Sequence, residues 1–116
     1  MTIGELSKKT GIPESTIRYY EKKGLIKVAR NSAGRRVFDE SNVEWIVFIK
    51  KLKDMGMLLK NIQKYSDLRY QGDSTISERL TMLEDHKIYI FEEQKKWNEY
   101  LNNLNNKIEI CREKLV

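Results

Sequence analysis

The stretch STIRYYEKKGLI, residues 15–26, places an arginine and two adjacent tyrosines on a short segment that contains a glycine near its end. Ile17 and Tyr20 are three residues apart, so in a helix they share a face that can turn inward. Arg18 and Tyr19 are rotated from Ile17 by about 100° and about 200°. In such a helix Tyr20 is mainly core, with its hydroxyl at the rim, and Arg18 and Tyr19 are turned away from the core face. On the residues alone, a structural role for both tyrosines stays open.

A second short helix is predicted just before this segment. Thr2 and Glu5 have the spacing of a capping box, and the short apolar face that follows them ends near Gly11. Pro13 suits the first turn of the next helix, where its missing N–H costs nothing. Residues 3–24 are therefore a helix-turn-helix candidate.

A basic hairpin is predicted to follow over residues 25–38. Two short β-prone runs flank the turn-forming residues 31–34. So small a hairpin cannot stand alone, so its apolar residues should anchor it to the helices. These anchors are Leu25, Ile26, Val37 and Phe38. The cationic residues left free are Lys27, Arg30, Arg35 and Arg36.

Two supporting helices are predicted over residues 40–55 and 58–71. Asp39 can cap the first helix, and Gly72 ends the second. The inward residues of the first are Val43, Ile46, Val47, Ile49 and Leu52, with Trp45 and Phe48 beside them; those of the second are Leu58, Ile62, Tyr65 and either Leu68 or Arg69. Their lysines, Lys50, Lys51, Lys53 and Lys60, are interpreted as mainly solvated.

One long helix is predicted over residues 75–116, because no proline or glycine interrupts them and Thr75 with Glu78 repeats the capping-box spacing. Alternating steps of four and three residues from Ile76 reach twelve positions, of which ten are apolar. The positions assigned to dimerisation are Leu83, Ile90, Gln94, Trp97, Leu101, Leu104, Ile108 and Cys111. Such a stripe needs a partner helix, and a homodimer is the simplest source. A helix folded back on its own domain is the alternative.

Charge is divided unevenly along the chain of 116 residues. Residues 1–60 hold 13 Lys and Arg against 7 Asp and Glu, whereas residues 61–116 hold 9 against 10. A basic half joined to a balanced half suggests a nucleic-acid-binding module and an interaction module. One cysteine and one histidine give neither a metal site nor a catalytic constellation, so we expect no cofactor and no enzymatic activity. The sequence has no membrane-length apolar run and no secretory signal, so we expect a cytoplasmic protein.

The residues TIRYYEKKGLI, 16–26, and GRRVF, 34–38, followed by two helices, resemble the MerR family of bacterial transcription regulators. The family pattern is close to T-[IL]-R-Y-Y-E-x-x-G-L-[IL], with a wing near G-[YR]-R-x-[YF], and the match runs over residues 2–72. The resemblance implies a mainly α fold: a winged helix-turn-helix DNA-binding domain over residues 1–72, then an antiparallel coiled-coil dimer over residues 75–116. It is similar to the short form that lacks an appended ligand-binding domain.

The resemblance also implies roles for individual residues, since the family's second helix enters the major groove. The DNA-binding set is then Ser15, Thr16, Arg18, Tyr19, Tyr20, Lys27, Arg30, Arg35 and Arg36. Arg36 matches the wing arginine, Arg35 replaces a common aromatic residue, and Val28 stands where proline is frequent. The partners implied are an inverted repeat in double-stranded promoter DNA, which the dimer distorts, and RNA polymerase at that promoter. The direction of control and any effector stay open.

Several alternatives also stay open at this point. Cys111 is either a small buried hydrophobe or a redox sensor, and Lys51 stands where a thiol-reactive branch of the family has a cysteine. Metal-sensing relatives use cysteines near the start of the long helix, and this chain has none there. The alternative function is a coiled-coil interaction or adaptor protein with non-specific nucleic-acid binding. An RNA-binding protein would normally add exposed aromatic residues for stacking.

Overall fold

The computed structural model describes residues 1–116. Its elements in chain order are α1 Ile3–Thr10, α2 Glu14–Lys22, β1 Ala29–Arg30, β2 Arg36–Val37, α3 Glu40–Asp54, α4 Leu59–Gln71, a 3₁₀ turn Asp73–Thr75 and α5 Ile76–Lys114. The prediction of a mainly α, winged helix-turn-helix fold with a long last helix is confirmed. The chain divides into two compact units, Met1–Arg79 and Leu80–Val116.

The ends of the first two helices follow from their flanking residues. The Thr2 hydroxyl oxygen accepts a hydrogen bond from the Glu5 N–H at 3.1 Å, which is one half of the predicted capping box. Gly11 then ends α1 in the left-handed region, with φ of 73°, where glycine has no steric penalty. Pro13 precedes α2 in an extended conformation rather than lying within its first turn.

The hairpin is antiparallel and short, with Ala29 opposite Val37 and Arg30 opposite Arg36. The Asn31 side-chain oxygen closes its tip by accepting two backbone N–H bonds from the turn. Of the four expected anchors, three are buried, but Val37 is exposed, so that prediction was wrong. Successive strand residues point to opposite faces, and burial of the next residue turns Val37 outward.

The carbonyl of Leu25, at the root of the hairpin, is held by two side chains from different helices. The Trp45 indole N–H of α3 donates to it at 2.8 Å, and the Ser66 hydroxyl of α4 donates at 2.6 Å. All three residues are buried. Because a buried carbonyl needs a partner, these bonds fix where the chain leaves α2.

Helix α4 also holds the two ends of the same root segment. The Gln63 side-chain amide donates to the Lys23 carbonyl at 2.9 Å, and the Lys27 N–H donates to the Tyr70 hydroxyl oxygen at 2.9 Å. The ammonium group of Lys27 also lies 5.0 Å from the centroid of the Tyr70 ring. The root of the hairpin is therefore fixed by polar residues that the sequence patterns did not single out.

Helix α3 begins with the predicted cap at Asp39. The carboxylate accepts a bond from the Asn42 N–H at 3.0 Å, and the Asn42 side chain accepts one from the Asp39 N–H at 2.9 Å, which completes a capping box. The Ser41 hydroxyl, with help from the Asn42 N–H, lowers the pKa of Asp39. The cap prediction is confirmed.

Two expectations about the later helices were wrong. Leu58 does not face the core; it precedes α4 in an extended conformation and is exposed, while the preceding residue Met57 is buried. Thr75 does not cap α5. Its hydroxyl oxygen lies 2.5 Å from the Leu68 carbonyl oxygen and 2.8 Å from that of Gly72, because the intervening 3₁₀ turn points it back at α4.

Helix α5 has 39 residues and is therefore about 58 Å long. Its first turn belongs to the Met1–Arg79 unit, where the Arg79 guanidinium donates to the Thr75 hydroxyl and to the Gly72 carbonyl. None of the helices combines the length and apolar character needed to cross a membrane.

Candidate nucleic-acid interface

Helix α2 has the two-sided character that its sequence predicts. Ile17 and Tyr20 are buried, whereas Arg18 is exposed and Tyr19 keeps 38% of its surface exposed. Ser15 is also exposed. The division of the tyrosine pair follows from the 100° rotation per helical residue and is confirmed. The outer side of α2 therefore presents a cation, an aromatic ring and a hydroxyl.

Tyr20 is also predicted to contact DNA, but its burial contradicts this. Only 2% of it is exposed, so its ring serves packing and offers no surface to a ligand. Burial raises the pKa of the Tyr20 hydroxyl; the nearby Lys50 ammonium opposes this and the Asp54 carboxylate adds to it. The hydroxyl thus lies within electrostatic range of Lys50 and Asp54 at the end of α3.

The exposed Tyr19 ring lies beside two ammonium groups. Lys53 of α3 places its nitrogen 5.4 Å from the ring centroid, and Lys23, just after α2, places its nitrogen 5.8 Å away. Cations at these distances are attracted to the ring face. Lys53 is exposed, and the sequence predicts it to be mainly solvated. No local pattern could have found it, since α3 meets α2 only in the fold.

The hairpin is joined to α2 by a carboxylate that the sequence reasoning did not single out, although it lies inside the RYYE motif. Glu21 Oε1 accepts bonds from Arg36 Nε at 2.8 Å and from Arg30 Nη2 at 3.2 Å. The second Arg30 terminal nitrogen, Nη1, donates to the Gly34 carbonyl at 3.3 Å. We call Glu21, Arg30 and Arg36 the Glu21 cluster. It brings two of the predicted basic residues to α2.

The remaining candidates are distributed more loosely. Arg35 is exposed in the hairpin turn, and Thr16 on α2 is half-buried. Lys27 is exposed at the hairpin root, where it contacts Tyr70 of α4 and not the Glu21 cluster. The structure thus places four of the predicted residues on or beside α2: Arg18, Tyr19, Arg30 and Arg36. Two lysines outside the predicted set, Lys23 and Lys53, lie beside Tyr19.

Within the Leu80–Val116 unit, the apolar stripe of α5 is not buried. Trp97, near the middle of the stripe, is 66% exposed, and its ring meets that of Tyr100 edge-on, 5.5 Å between centroids. Leu83 and Ile90 are half-buried. The other stripe positions assigned to dimerisation are exposed: Gln94, Leu101, Leu104, Ile108 and Cys111. A single chain leaves this apolar surface in water.

No group of three or more His, Cys, Asp or Glu side chains is placed to hold a metal ion. The chemistry of the surface around α2 is instead that of cations, hydroxyls and one exposed ring. Guanidinium groups donate well to phosphate oxygens, and helices of this diameter fit a major groove. The arrangement therefore suits a polyanion with a groove.

Comparison with known proteins agrees with this geometry. Residues 1–68 match the family model described as MerR HTH family regulatory protein. The HTH-type transcriptional regulator AdhR of Bacillus subtilis (strain 168) is 36% identical over 93 residues, which are 79% of this chain and 66% of that one. The chain thus spans just under two thirds of the length of AdhR.

Two solved structures are similar along nearly the whole chain. A MerR family transcriptional regulator from Listeria monocytogenes has a TM-score of 0.85 and 32% identity, and the match covers 93% of this chain and 83% of that one. HiNmlR, a MerR family regulator lacking the sensor domain and solved bound to promoter DNA, has a TM-score of 0.81 and 31% identity, with coverage of 97% and 90%.

Proposed function

Because this chain belongs to the MerR HTH family of regulatory proteins, we propose that it is a sequence-specific, DNA-binding transcription regulator. The observation that carries the proposal is the outer side of α2, where Arg18 and Tyr19 are exposed and the Glu21 cluster adds two arginines of the hairpin. The similarity to a regulator solved on promoter DNA supports the same reading.

In this proposal α2 enters the major groove and the hairpin follows the phosphate backbone beside it. The groove is about 12 Å wide, which matches the diameter of a helix with its side chains. Ser15, Thr16, Arg18 and Tyr19 then face base edges or the groove wall, while Arg35 and Arg36 donate to phosphates. Phosphate contacts set the position of the protein, and base contacts give it sequence preference.

We further propose that the chain acts as a homodimer through α5. The exposed stripe around Trp97 is too long and too apolar to remain in water, and an antiparallel partner helix from a second copy would cover it. A dimer with twofold symmetry carries two α2 helices and therefore reads an inverted repeat. Trp97 would lie near the twofold axis.

At a promoter, such a dimer would alter transcription by distorting the DNA between its two half-sites, with RNA polymerase as the second partner. Deforming a stiff duplex costs on the order of several kcal/mol, which the phosphate contacts of both protomers would offset. The site of action would be the cytoplasm, where bacterial promoters lie. The proposal requires no cofactor.

The deciding experiment measures binding to duplex DNA at about 150 mM salt, near the physiological range. Duplexes are first selected from a random-core library with the purified protein, and their affinity is compared with that of a scrambled duplex by fluorescence anisotropy. We expect the selected duplex to bind at least about 1,000-fold more tightly and to contain an inverted repeat.

Two outcomes would contradict the proposal. Selection that yields no duplex bound more tightly than random DNA would leave a dimer with non-specific binding, which is the adaptor alternative. Tighter binding to a single-stranded RNA of matched sequence would assign the surface to RNA. Light scattering on the same samples measures whether the protein is a dimer.

A further inference from the structure

Glu21 contacts two of the three hairpin arginines, Arg30 and Arg36, and these two use different atoms. Arg36 bonds through Nε alone, at 2.8 Å. Arg30 uses both terminal nitrogens inside the protein, Nη2 toward Glu21 at 3.2 Å and Nη1 toward the Gly34 carbonyl at 3.3 Å. A guanidinium held by Nε keeps its two terminal nitrogens as a fork for another acceptor.

Burial separates the two pairs in the same way. The side chains of Glu21 and Arg36 are only 22% and 27% exposed, whereas that of Arg30 is 45% exposed. A half-buried, hydrogen-bonded pair restricts its side chains more than a solvated one, which water and salt screen. The placement of Arg36 by Glu21 is therefore the firmer of the two.

We propose that Glu21 is a positioning residue: it holds Arg36 so that the terminal nitrogens of Arg36 bind a DNA phosphate, while Arg30 ties the hairpin turn to α2. This inference rests on the proposed function and refines it. It removes Arg30 from direct contact and makes Arg36 the hairpin arginine that another side chain orients toward a phosphate.

The charge of Glu21 has a second consequence. A carboxylate beside DNA repels every phosphate, so it weakens binding to any sequence equally. The bond from Glu21 to Arg36 increases affinity only for DNA whose backbone places a phosphate opposite the oriented guanidinium. Glu21 therefore lowers non-specific affinity and raises specific affinity, which together increase discrimination between sequences.

The first test substitutes Glu21→Gln, which keeps the side-chain length and removes the charge. The control is Glu44→Gln on α3, an exposed position that loses the same charge. The probes are the duplex selected by the wild-type protein and its scrambled counterpart. With Glu21→Gln we expect binding to the scrambled duplex to rise about twofold to threefold. Affinity for the selected duplex should fall about tenfold, as loss of one charge-assisted bond predicts.

The deciding quantity is the ratio of the affinity for the selected duplex to the affinity for the scrambled duplex. A fall in this ratio that is clearly larger for Glu21→Gln than for Glu44→Gln supports the positioning role. A fall no larger than that of the control overturns it. A residue needed only for folding would lower binding to both duplexes together, which is a third, distinguishable pattern that also overturns the proposal.

A second pair of variants keeps all charges and tests the atoms. In Arg36→Lys, one ammonium can reach either Glu21 or a phosphate but cannot present the same fork to both. We expect about a tenfold loss on the selected duplex and a change within about twofold on the scrambled one. Arg30→Lys can keep the ion pair with Glu21 but not the second bond to the Gly34 carbonyl. It should still lose less than about threefold, because in this proposal Arg30 does not contact DNA. Equal losses in the two variants would overturn the division between them.

Thermal melts followed by circular dichroism establish that each variant is folded at the assay temperature. If Glu21→Gln is not folded there, the comparison of Arg36→Lys with Arg30→Lys decides alone. Failure of the proposed function looks different, because the wild-type protein itself would then select no duplex.

Discussion

The Leu25 carbonyl allows a sharp test of how the hairpin root is stabilised, because two donors share one buried acceptor. Ser66→Ala removes one donor and leaves Trp45 in place, so it should cost about 1 kcal/mol of unfolding free energy, the net value of one hydrogen bond. Trp45→Phe removes the other donor and also loses contacts of the indole, which stacks 5.8 Å from the Tyr65 ring.

The double variant removes both donors and leaves the buried carbonyl without a partner. An unsatisfied buried group costs about 1–3 kcal/mol, so the double variant should be destabilised beyond the sum of the single ones by about 1–2 kcal/mol. The cycle cancels the packing lost by Trp45→Phe, which is present in both backgrounds. For a unit of this size, each kcal/mol shifts the melting temperature by about 4–8 °C.

The assay is urea unfolding of the four proteins at one protomer concentration, since dimerisation would otherwise add a concentration dependence. A control cycle combines Ser66→Ala with Tyr70→Phe; Tyr70 lies on the same helix, but its hydroxyl bonds the Lys27 N–H instead. Because Ser66 and Tyr70 are neighbours four positions apart on α4, this control measures the coupling that proximity alone produces. Coupling between Trp45 and Ser66 no larger than in the control would refute the shared-acceptor reasoning.

Three other predictions concern separate parts of the molecule. Lys53→Ala should reduce the slope of log affinity against log salt by about one, as expected for one lost phosphate contact, while Lys51→Ala on the same helix should leave it unchanged. Equal slopes in the two variants would mean that Lys53 is a solvated residue that does not contact DNA. Trp97→Glu should dissociate the dimer into monomers, as measured by light scattering, because a charge in a coiled-coil core costs several kcal/mol. Asn106→Glu on the opposite face of α5 should leave the dimer intact, and an intact Trp97→Glu dimer would contradict the assigned stripe. The lowered pKa of Asp39, caused first by the neighbouring serine hydroxyl, means that its stabilisation is complete above the unfolded carboxyl pKa of about 4 and is lost as pH falls through the folded value. Melting temperatures of Asp39→Asn and the wild-type protein should therefore converge in acid, and a difference that stays constant with pH would contradict this.

The parts of the fold that periodicity and local chemistry determine could be predicted from sequence. The burial of Ile17 and Tyr20, the exposure of Tyr19 and the cap at Asp39 each depend on residues at most four positions apart. Helical geometry fixes such relations before any tertiary contact forms. The length of α5 follows equally from an uninterrupted pattern.

The errors arise where tertiary contacts override local pattern. Val37 and Leu58 are apolar but lie at positions where the backbone turns their side chains outward. The Thr75 hydroxyl has the spacing of a cap, but it bonds the Leu68 carbonyl behind it because a 3₁₀ turn intervenes. Local spacing determines which hydrogen bonds are possible, and tertiary packing determines which of them forms.

The candidate site shows the same limit. Arg18 and Tyr19 could be placed on the surface from helical rotation alone. The roles of Glu21 and Lys53 could not, since their partners lie on other elements that meet α2 only after folding. Opposite charges in one sequence have too many possible pairings for spacing to choose among them.

The bonds at the hairpin root also order events during folding. The strands are two residues each and too short to persist alone, and their root is fixed by side chains 20, 41 and 43 positions further along the chain. We therefore expect the root of the hairpin to be fixed only after α4 has docked. During synthesis, helices α1 and α2 emerge first, and we expect Lys27 at the hairpin root to be fixed only once Tyr70 has left the ribosome. A chain that stops before α4 would keep the tyrosine motif and lack a fixed wing.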